Sequence, residues 1–333
     1  MPNLLPSPEE ICQGGVFAIR NTIDHVKWYL RTNPDRALET EIAPGRGKEA
    51  LRVDITAEDQ FLFNLIKEYE KGFLSDIKVY GEESINEQTD FSGEDGVVAL
   101  VDMVDGTDLV ERNLSNWCSA AIFFRPKNDE GNRILASCVG MPSDRIYYVH
   151  ADSKGVRYKP KTGPSIPVGG KSDITRLAEA SVCFYGQKAA RLKEVAERGF
   201  LNYMLTQQGP LANKGGKEKQ RKKNRIYTLA GIPMMIKLID HQVKCAANID
   251  VVFECNGQHP HDVVAGAYLA KRAGAVIKSI DTGKELSYID LEESLLRPAH
   301  PDSQLRYVIA STEELCDEIL PLLQPIVAEG TSN

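Results

Sequence analysis

Gly96-Val97-Val98-Ala99-Leu100-Val101-Asp102-Met103-Val104-Asp105-Gly106-Thr107 is the stretch on which the fold turns. From Gly96 to Val104 it is nearly continuously apolar and rich in β-branched residues, the pattern of a strand buried on both faces. It stops at Asp105-Gly106-Thr107, a turn signal. Residues i and i+3 at such a strand end can both face the mouth beyond it, where open α/β folds place ligands. Two carboxylates so close repel each other and lose solvation, and a hard divalent cation removes both penalties. Gly106 lets the backbone turn tightly, and a helix starting after it would aim free N–H groups at an anion. A plain Asp-Gly turn with a capping acid has the same letters, so the neighbouring segments must decide.

Upstream, Ser7-Pro8-Glu9-Glu10 reads as a capped helix start, with Ile11, Val16, Ile19, Ile23, Val26 and Leu30 at helical spacing up to Thr32-Asn33-Pro34. Leu51 to Ile55 reads as a short strand, and Thr56-Ala57-Glu58-Asp59 opens a second helix with Phe61, Leu62, Leu65 and Ile66 on its buried side. Ile77 to Tyr80 is a strand that runs into Gly81-Glu82-Glu83-Ser84. Downstream, segments 117–125, 132–141 and 145–158 suggest an antiparallel meander. The Pro-, Gly- and Lys-rich stretch 160–170 separates two halves, 1–160 and 161–333, expected to form one unit. The second half alternates: strand 182–185, helix 186–199, a basic loop 208–224, helix 226–241, strand 248–254, a helix from His261 ending at Gly274, strands 275–280 and 306–310, and a last helix from about 312. Strands and helices in layers, with both parallel and antiparallel pairing, are implied.

Bulk properties narrow the function. A chain of 333 residues with ordinary apolar content can build a large core without metal or disulfide staples. The net charge of −7 makes nucleic acid and anionic membranes poor partners. Seven cysteines, an odd number with no C-x-x-C pair, argue against a disulfide framework or a structural zinc knuckle. The opening Met1-Pro-Asn-Leu-Leu-Pro lacks a basic and an apolar targeting region, and no run is long enough to span a bilayer, so a cytoplasmic location is expected.

Three further acids stand at element ends: Glu82 in Gly81-Glu82-Glu83-Ser84, Asp59 in Thr56-Ala57-Glu58-Asp59, and Asp262 in His261-Asp262-Val263-Val264-Ala265-Gly266. Each alone is an ordinary acidic turn or first-turn helix acid. Their order, together with Asp102-Met103-Val104-Asp105-Gly106-Thr107, resembles the inositol monophosphatase family, within the superfamily of fructose-1,6-bisphosphatases and 3′-phosphonucleotide phosphatases. The family pattern is a T-x-x-D helix start, G-E-E, D-P-x-D-G-T, and W-D-x-A-A/G with a helix behind it. The resemblance runs from about 50 to 310 and is weakest between about 150 and 225.

The resemblance implies an αβαβα sandwich with mixed sheets and a Mg²⁺-dependent phosphomonoesterase acting on an inositol, sugar or nucleotide phosphate. It implies that Glu82, Asp102 and the Val104 carbonyl hold one magnesium, that Asp102, Asp105 and Asp262 hold a second, and that a third ion sits near Glu82. Asp59 and Thr107 would then orient and deprotonate the attacking water. Gly106 and Thr107 N–H groups would receive phosphate oxygens, and Glu254 would contact a substrate hydroxyl, with Asp105 and Asp262 beside it. Lithium inhibition and a homodimer are further implications. Phosphate monoester hydrolysis itself needs an aligned nucleophile and charge compensation, which metal ions supply.

Two residues depart from the pattern: Met103 stands for proline and His261 for tryptophan. The pair His259-Pro260-His261 invites a zinc reading, but the other expected ligands are hard oxygens, so magnesium is preferred. The basic loop 214–225 is either a solvated surface loop or an electropositive lid for a substrate with more than one phosphate. A bisphosphatase, a repurposed biosynthetic enzyme and a non-catalytic phosphate binder remain as alternatives.

Overall fold

A computed structural model describes residues 6–43, 49–69, 77–169, 172–186, 189–206, 225–240 and 249–324. Helix α1 (Pro8–Thr32) starts where expected. Ser7 and Glu10 form a reciprocal capping box, and Pro8 occupies the first turn. After α2 (Pro34–Ala37), a small hairpin pairs β1 (Thr40–Ile42) with β2 (Glu49–Leu51), and α3 (Arg52–Tyr69) follows at once. The strand expected over 51–55 is therefore confined to its first residue. Hairpin pairing ends at Leu51, and Arg52 bonds back to the Glu39 carbonyl and ion-pairs with Glu39 and Glu41. The helix thus begins four residues before Thr56. Its buried stripe is Val53, Ala57, Phe61 and Leu65, while Leu62 and Ile66 are exposed.

A seven-stranded sheet follows: β3 (Ile77–Gly81), β4 (Val97–Asp105), β5 (Cys118–Phe124), β6 (Ile134–Met141), β7 (Arg145–His150), β8 (Arg157–Lys159) and β9 (Ile166–Pro167). β3 and β4 are parallel, and the remainder is the antiparallel meander. Every residue of β4 is buried, because both faces of the sheet are covered. Val97, Ala99, Val101 and Met103 face α1 and α3, and Val98 and Leu100 face the opposite layer. Gly140 of β6 lets α1 sit directly on the sheet; a Cβ there would lie 2.4 Å from Ile19 and Ile23.

The second sheet has the order β11-β10-β12-β14-β13, built from β10 (Ser181–Phe184), β11 (Arg225–Thr228), β12 (Val251–Gln258), β13 (Val276–Ser279) and β14 (Leu305–Ala310). β11, β10 and β12 run parallel, and β14 is antiparallel to both β12 and β13. The helix expected over 186–199 is α5 (Ala189–Ala196) within the described residues, and a further helix, α6 (Gly199–Thr206), follows it. The helix expected over 226–241 starts instead with β11, an edge strand with exposed side chains that carries no readable periodicity, and continues as α7 (Gly231–Ile239). α8 (Val264–Arg272) runs to Gly274, whose φ of +97° suits a glycine past a helix end. α9 (Tyr288–Ser294), not foreseen, precedes β14, and α10 (Glu313–Leu323) closes the described chain.

The layers are α1/α3, the seven-stranded sheet, α7/α8, the five-stranded sheet, and α5/α6/α10. The αβαβα sandwich with mixed sheets is what the sequence implied. α7 and α8 are the shared core: Ile232, Met235, Val264 and Leu269 pack between Leu100 and Ile122 on one side and Val252 and Ile309 on the other. Residues 207–224 of the basic loop lie outside the described residues. Among the described residues no helix is long and apolar enough to cross a membrane. Cys118, Cys138 and Cys183 are buried core residues.

Candidate metal centre

The acids meet where both sheets end. Residues three apart on a regular strand face opposite ways, yet Asp102 and Asp105 act on the same space. The β4–β5 register supplies the reason: Asp102 opposes Ala120 and Asp105 opposes Cys118, so three steps on β4 match two on β5. This bulge turns Asp105 back toward Asp102. Both are buried, at 4% and 8% exposure.

Glu82 arrives from the parallel neighbour. Gly81 pairs with Val101, so the 3₁₀ turn Glu82–Ser84 begins beside Asp102. Ser84 fixes that turn by accepting the Gly81 N–H (2.7 Å), and Glu58 accepts the Glu83 N–H (2.9 Å). A Cβ at Gly81 would fall about 2 Å from the Glu58 carboxyl, so a larger residue there would push that carboxyl off the Glu83 N–H. Asp262 comes from the second sheet, in the 3₁₀ turn Pro260–Asp262 after β12. The N-terminus of α7 completes the wall: Ile232 N–H donates to Asp105 Oδ2 (2.5 Å).

Asp102 and Asp105 are held far from their ordinary state. Burial, then Glu82, Asp105 and Asp262, push Asp102 well above the usual carboxylate range. Burial and Asp262 do the same to Asp105, opposed by the Ile232 N–H. The strongest charged influences on Asp102 are all carboxylates, so the cluster lacks a counter-charge there. A divalent cation on hard oxygens supplies it, and these residues fit such an ion. Ligand atoms of Glu82, His261 and Asp262 all lie within 4.8 Å of one another. His261 Nε2 is 3.3 Å from Asp262 Oδ1 and 3.9 Å from Glu82 Oε1.

The Thr107 hydroxyl lies 3.2 Å from Asp54 Oδ1 and 3.1 Å from the Val104 carbonyl, two acceptors for its one proton. Asp59, expected to partner Thr107, is instead exposed on α3. The early start of α3 puts Asp54 in its first turn, at the site, and carries Asp59 more than a turn away. Burial, then Glu82 and Glu83, raise Asp54 well above the ordinary range. Gly106, at φ +107°, caps the one-turn helix Thr107–Val110 and packs on Ala230 and Trp117.

Glu254 is also not where the sequence implied. It is 2% exposed in β12, its carboxylate 2.9 Å from Arg191 Nη1, and it accepts the Asn256 N–H (2.6 Å). Arg191 in turn lies over the Tyr185 ring, 4.3 Å from its centroid. Glu254 is therefore a buried, paired carboxylate rather than an open one. Glu82, Asp102, Val104, Asp105, Gly106, Thr107 and Asp262 come together; Asp59 and Glu254 stand apart. Sequence reasoning missed Asp54, Arg191 and the α7 N–H groups. Only Asp54 carried a usable signal, an acid in a helix first turn, masked by the alternation of Val53 and Ile55.

No protein-family model matches the chain, and no curated protein matches its sequence. Solved structures do match in fold. The IMPase of Thermotoga maritima superposes with a TM-score of 0.60 at 15% identity, covering 92% of this chain and 94% of that one. The extragenic suppressor protein SuhB of Bartonella henselae gives 0.60 at 15%, covering 96% and 98%. A staphylococcal IMPase-II solved with 2′-AMP bound gives 0.59 at 15%, covering 93% and 91%. The chain has the fold of the inositol monophosphatases over nearly its whole length. At this identity the likeness is one of fold, and the chemistry must come from the site.

Proposed function

We propose that this chain is a divalent-metal-dependent phosphomonoesterase of the inositol monophosphatase family, acting on a small soluble phosphate ester. The observation that carries the proposal is the convergence of Glu82, Asp102, Asp105 and Asp262 at the strand ends, beside the Asp54–Thr107 pair. Glu82, Asp102 and the Val104 carbonyl would hold one Mg²⁺, and Asp102, Asp105 and Asp262 a second, with a third near Glu82. When bound, such ions neutralise phosphate charge and acidify water. The residues do the rest. Thr107 would orient the water with its hydroxyl, and Asp54 would take its proton at Oδ1, its affinity for a proton increased by burial and by Glu82 and Glu83. Gly106 and Thr107 N–H groups would receive phosphate oxygens.

One observation favours a substrate with a second anionic group. Where a leaving-group hydroxyl would approach Glu254, the wall holds the Arg191 guanidinium, whose five N–H donors exceed what Glu254 uses. A sugar bisphosphate or phosphonucleotide fits that wall better than a neutral cyclitol. The staphylococcal neighbour's ligand, 2′-AMP, is a phosphate ester of the same general size.

The deciding experiment is phosphate release from inositol phosphates, sugar mono- and bisphosphates and 3′- and 5′-nucleotides, with Mg²⁺ and with chelator. Chelator-sensitive release that Asp102→Asn abolishes supports the proposal. No release from any ester overturns it in favour of a repurposed or non-catalytic protein. Cytoplasmic action, lithium inhibition and a homodimer complete the reading, the exposed Leu62, Phe63 and Ile66 of α3 offering an apolar face for the last. Full activity in millimolar lithium, or a monomer mass in light scattering, counts against the corresponding part.

A further inference from the structure

His261 replaces the large indole expected beside this centre, and the structure shows what the imidazole does there. Its side chain is 1% exposed, and its Nε2 faces the two carboxylates that border it: Asp262 Oδ1 at 3.3 Å and Glu82 Oε1 at 3.9 Å. The ring is held in place. Pro260 stiffens the turn before it, and His259 stacks on it with centroids 5.5 Å apart and planes 7° from parallel. His259 is itself anchored, with Nε2 3.2 Å from Gln304 Nε2.

We propose that His261 Nε2 joins Glu82 and Asp262 as a ligand of one divalent ion, making this position a mixed nitrogen–oxygen site that prefers a first-row transition ion (Mn²⁺, Co²⁺ or Zn²⁺) over Mg²⁺. The inference rests on the phosphatase reading for the existence of the centre and adds the identity of the ligand and the ion. Two ligand atoms about 2.1 Å from one ion stand about 3.0 Å apart at a right angle and about 3.4 Å at the tetrahedral angle. The His261–Asp262 distance already matches. The His261–Glu82 distance is slightly long, and Glu82, at 30% exposure, has room to close it by a small rotation. A cavity of about 560 Å³, lined by these three residues with Asn86, Gln88 and Gln304, connects the position to solvent. The donor set sets the preference. Imidazole binds first-row transition ions far better than magnesium, which favours an all-oxygen octahedron and keeps its waters. Asp102, Asp105 and the Val104 carbonyl offer only oxygens, so the two positions proposed there stay hard, and the third, near Glu82, is the softer one.

The test is electron spin-echo envelope modulation on the wild-type protein loaded with Mn²⁺, which detects a directly bound nitrogen. A ¹⁴N modulation is expected in the wild type, converted by ¹⁵N-histidine labelling, kept in His259→Gln and lost in His261→Gln. Calorimetric titration is expected to show Co²⁺ affinity falling about tenfold or more in His261→Gln, with Mg²⁺ affinity nearly unchanged. Mn²⁺-loaded wild type without nitrogen modulation overturns the proposal, as does equal loss of both ions, which would make His261 a hydrogen-bonding support of Asp262. If His261→Gln does not fold, the labelled wild type still decides for or against histidine ligation. Metal-dependent phosphate release without a nitrogen signal overturns this inference alone, a nitrogen signal without release overturns the phosphatase reading alone, and a wild type that binds no divalent ion overturns both.

Discussion

Replacing Asp54 by Asn separates the two acids that compete for the role of base. Asp54 Oδ1 is 3.2 Å from the Thr107 hydroxyl, and its carboxyl is raised by burial and by Glu82 and Glu83. Asn keeps an oxygen that can accept from Thr107 but cannot take a proton. Loss of a positioned general base costs about 10²- to 10⁴-fold in rate, or about 3 to 5 kcal/mol of transition-state stabilisation. We expect kcat of Asp54→Asn to fall by that range, with the acidic limb of the pH–rate profile lost. Asp59→Asn, on the exposed side of α3, should stay within about threefold of wild type, the small effect usual for a surface change. The structural cost is opposite in sign. A carboxyl raised in the folded state is penalised when ionised, so the neutral amide should leave the melting temperature in chelator equal or higher. The assay is steady-state phosphate release on the best ester of the panel, with melting curves alongside. Asp54→Asn within tenfold of wild type, or Asp59→Asn down by a hundredfold, refutes the assignment.

Other outcomes follow from the same geometry. Asp102 and Asp105 are raised in the metal-free fold, so the folded state holds their protons to higher pH than the unfolded chain does; metal-free stability should therefore fall as pH rises above the ordinary aspartate value of about 4. Melting curves in chelator check this, Mg²⁺ should restore most at the alkaline end, and a melting temperature that climbs with pH in chelator contradicts it. Arg191→Met strands the buried Glu254 and should cost about 3 kcal/mol, while Arg191→Met with Glu254→Gln should recover most of the loss; urea unfolding of the cycle measures it, and strict additivity removes the pairing. Gly106→Ala forces a side chain into φ +107° against Ala230 Cβ at 3.1 Å and should cost about 1 to 3 kcal/mol and lower kcat/KM more than metal affinity, a split that kinetics and calorimetry read separately.

The layered fold was legible because its signals are local. The all-apolar run of β4 and the alternating strands of the meander report burial on two faces directly. Elements fixed by distant partners were not. β11 has no apolar face and exists through parallel pairing with β10. The start of α3 is set by the β1–β2 hairpin and by Arg52 reaching Glu39 and Glu41, which the motif Thr56-x-x-Asp59 does not reveal. That shift moved the candidate base from Asp59 to Asp54. The candidate ligand acids of β4 were readable from spacing, although their convergence depends on a bulge that only the register displays. Glu254 was misread because its partner lies on α5, 63 residues earlier, and no sequence rule joins Arg191 to it.

The position of β14 has a consequence for how the protein is made. Asp262 is carried by the turn after β12, and β12 gains its antiparallel neighbour only when residues 305–310 have been synthesised. The buried bond from the Tyr307 hydroxyl to Gln258 Oε1 (2.7 Å), just before that turn, waits for the same segment. Glu82, Asp102 and Asp105 leave the ribosome some 200 residues sooner. A nascent chain can therefore gather three of the four converging carboxylates early and still lack the clamp that brings in the last, since long-range strand pairing forms late. The proposed phosphatase centre therefore waits for residues 305–310, and a chain cut short before them should show no metal-dependent phosphate release.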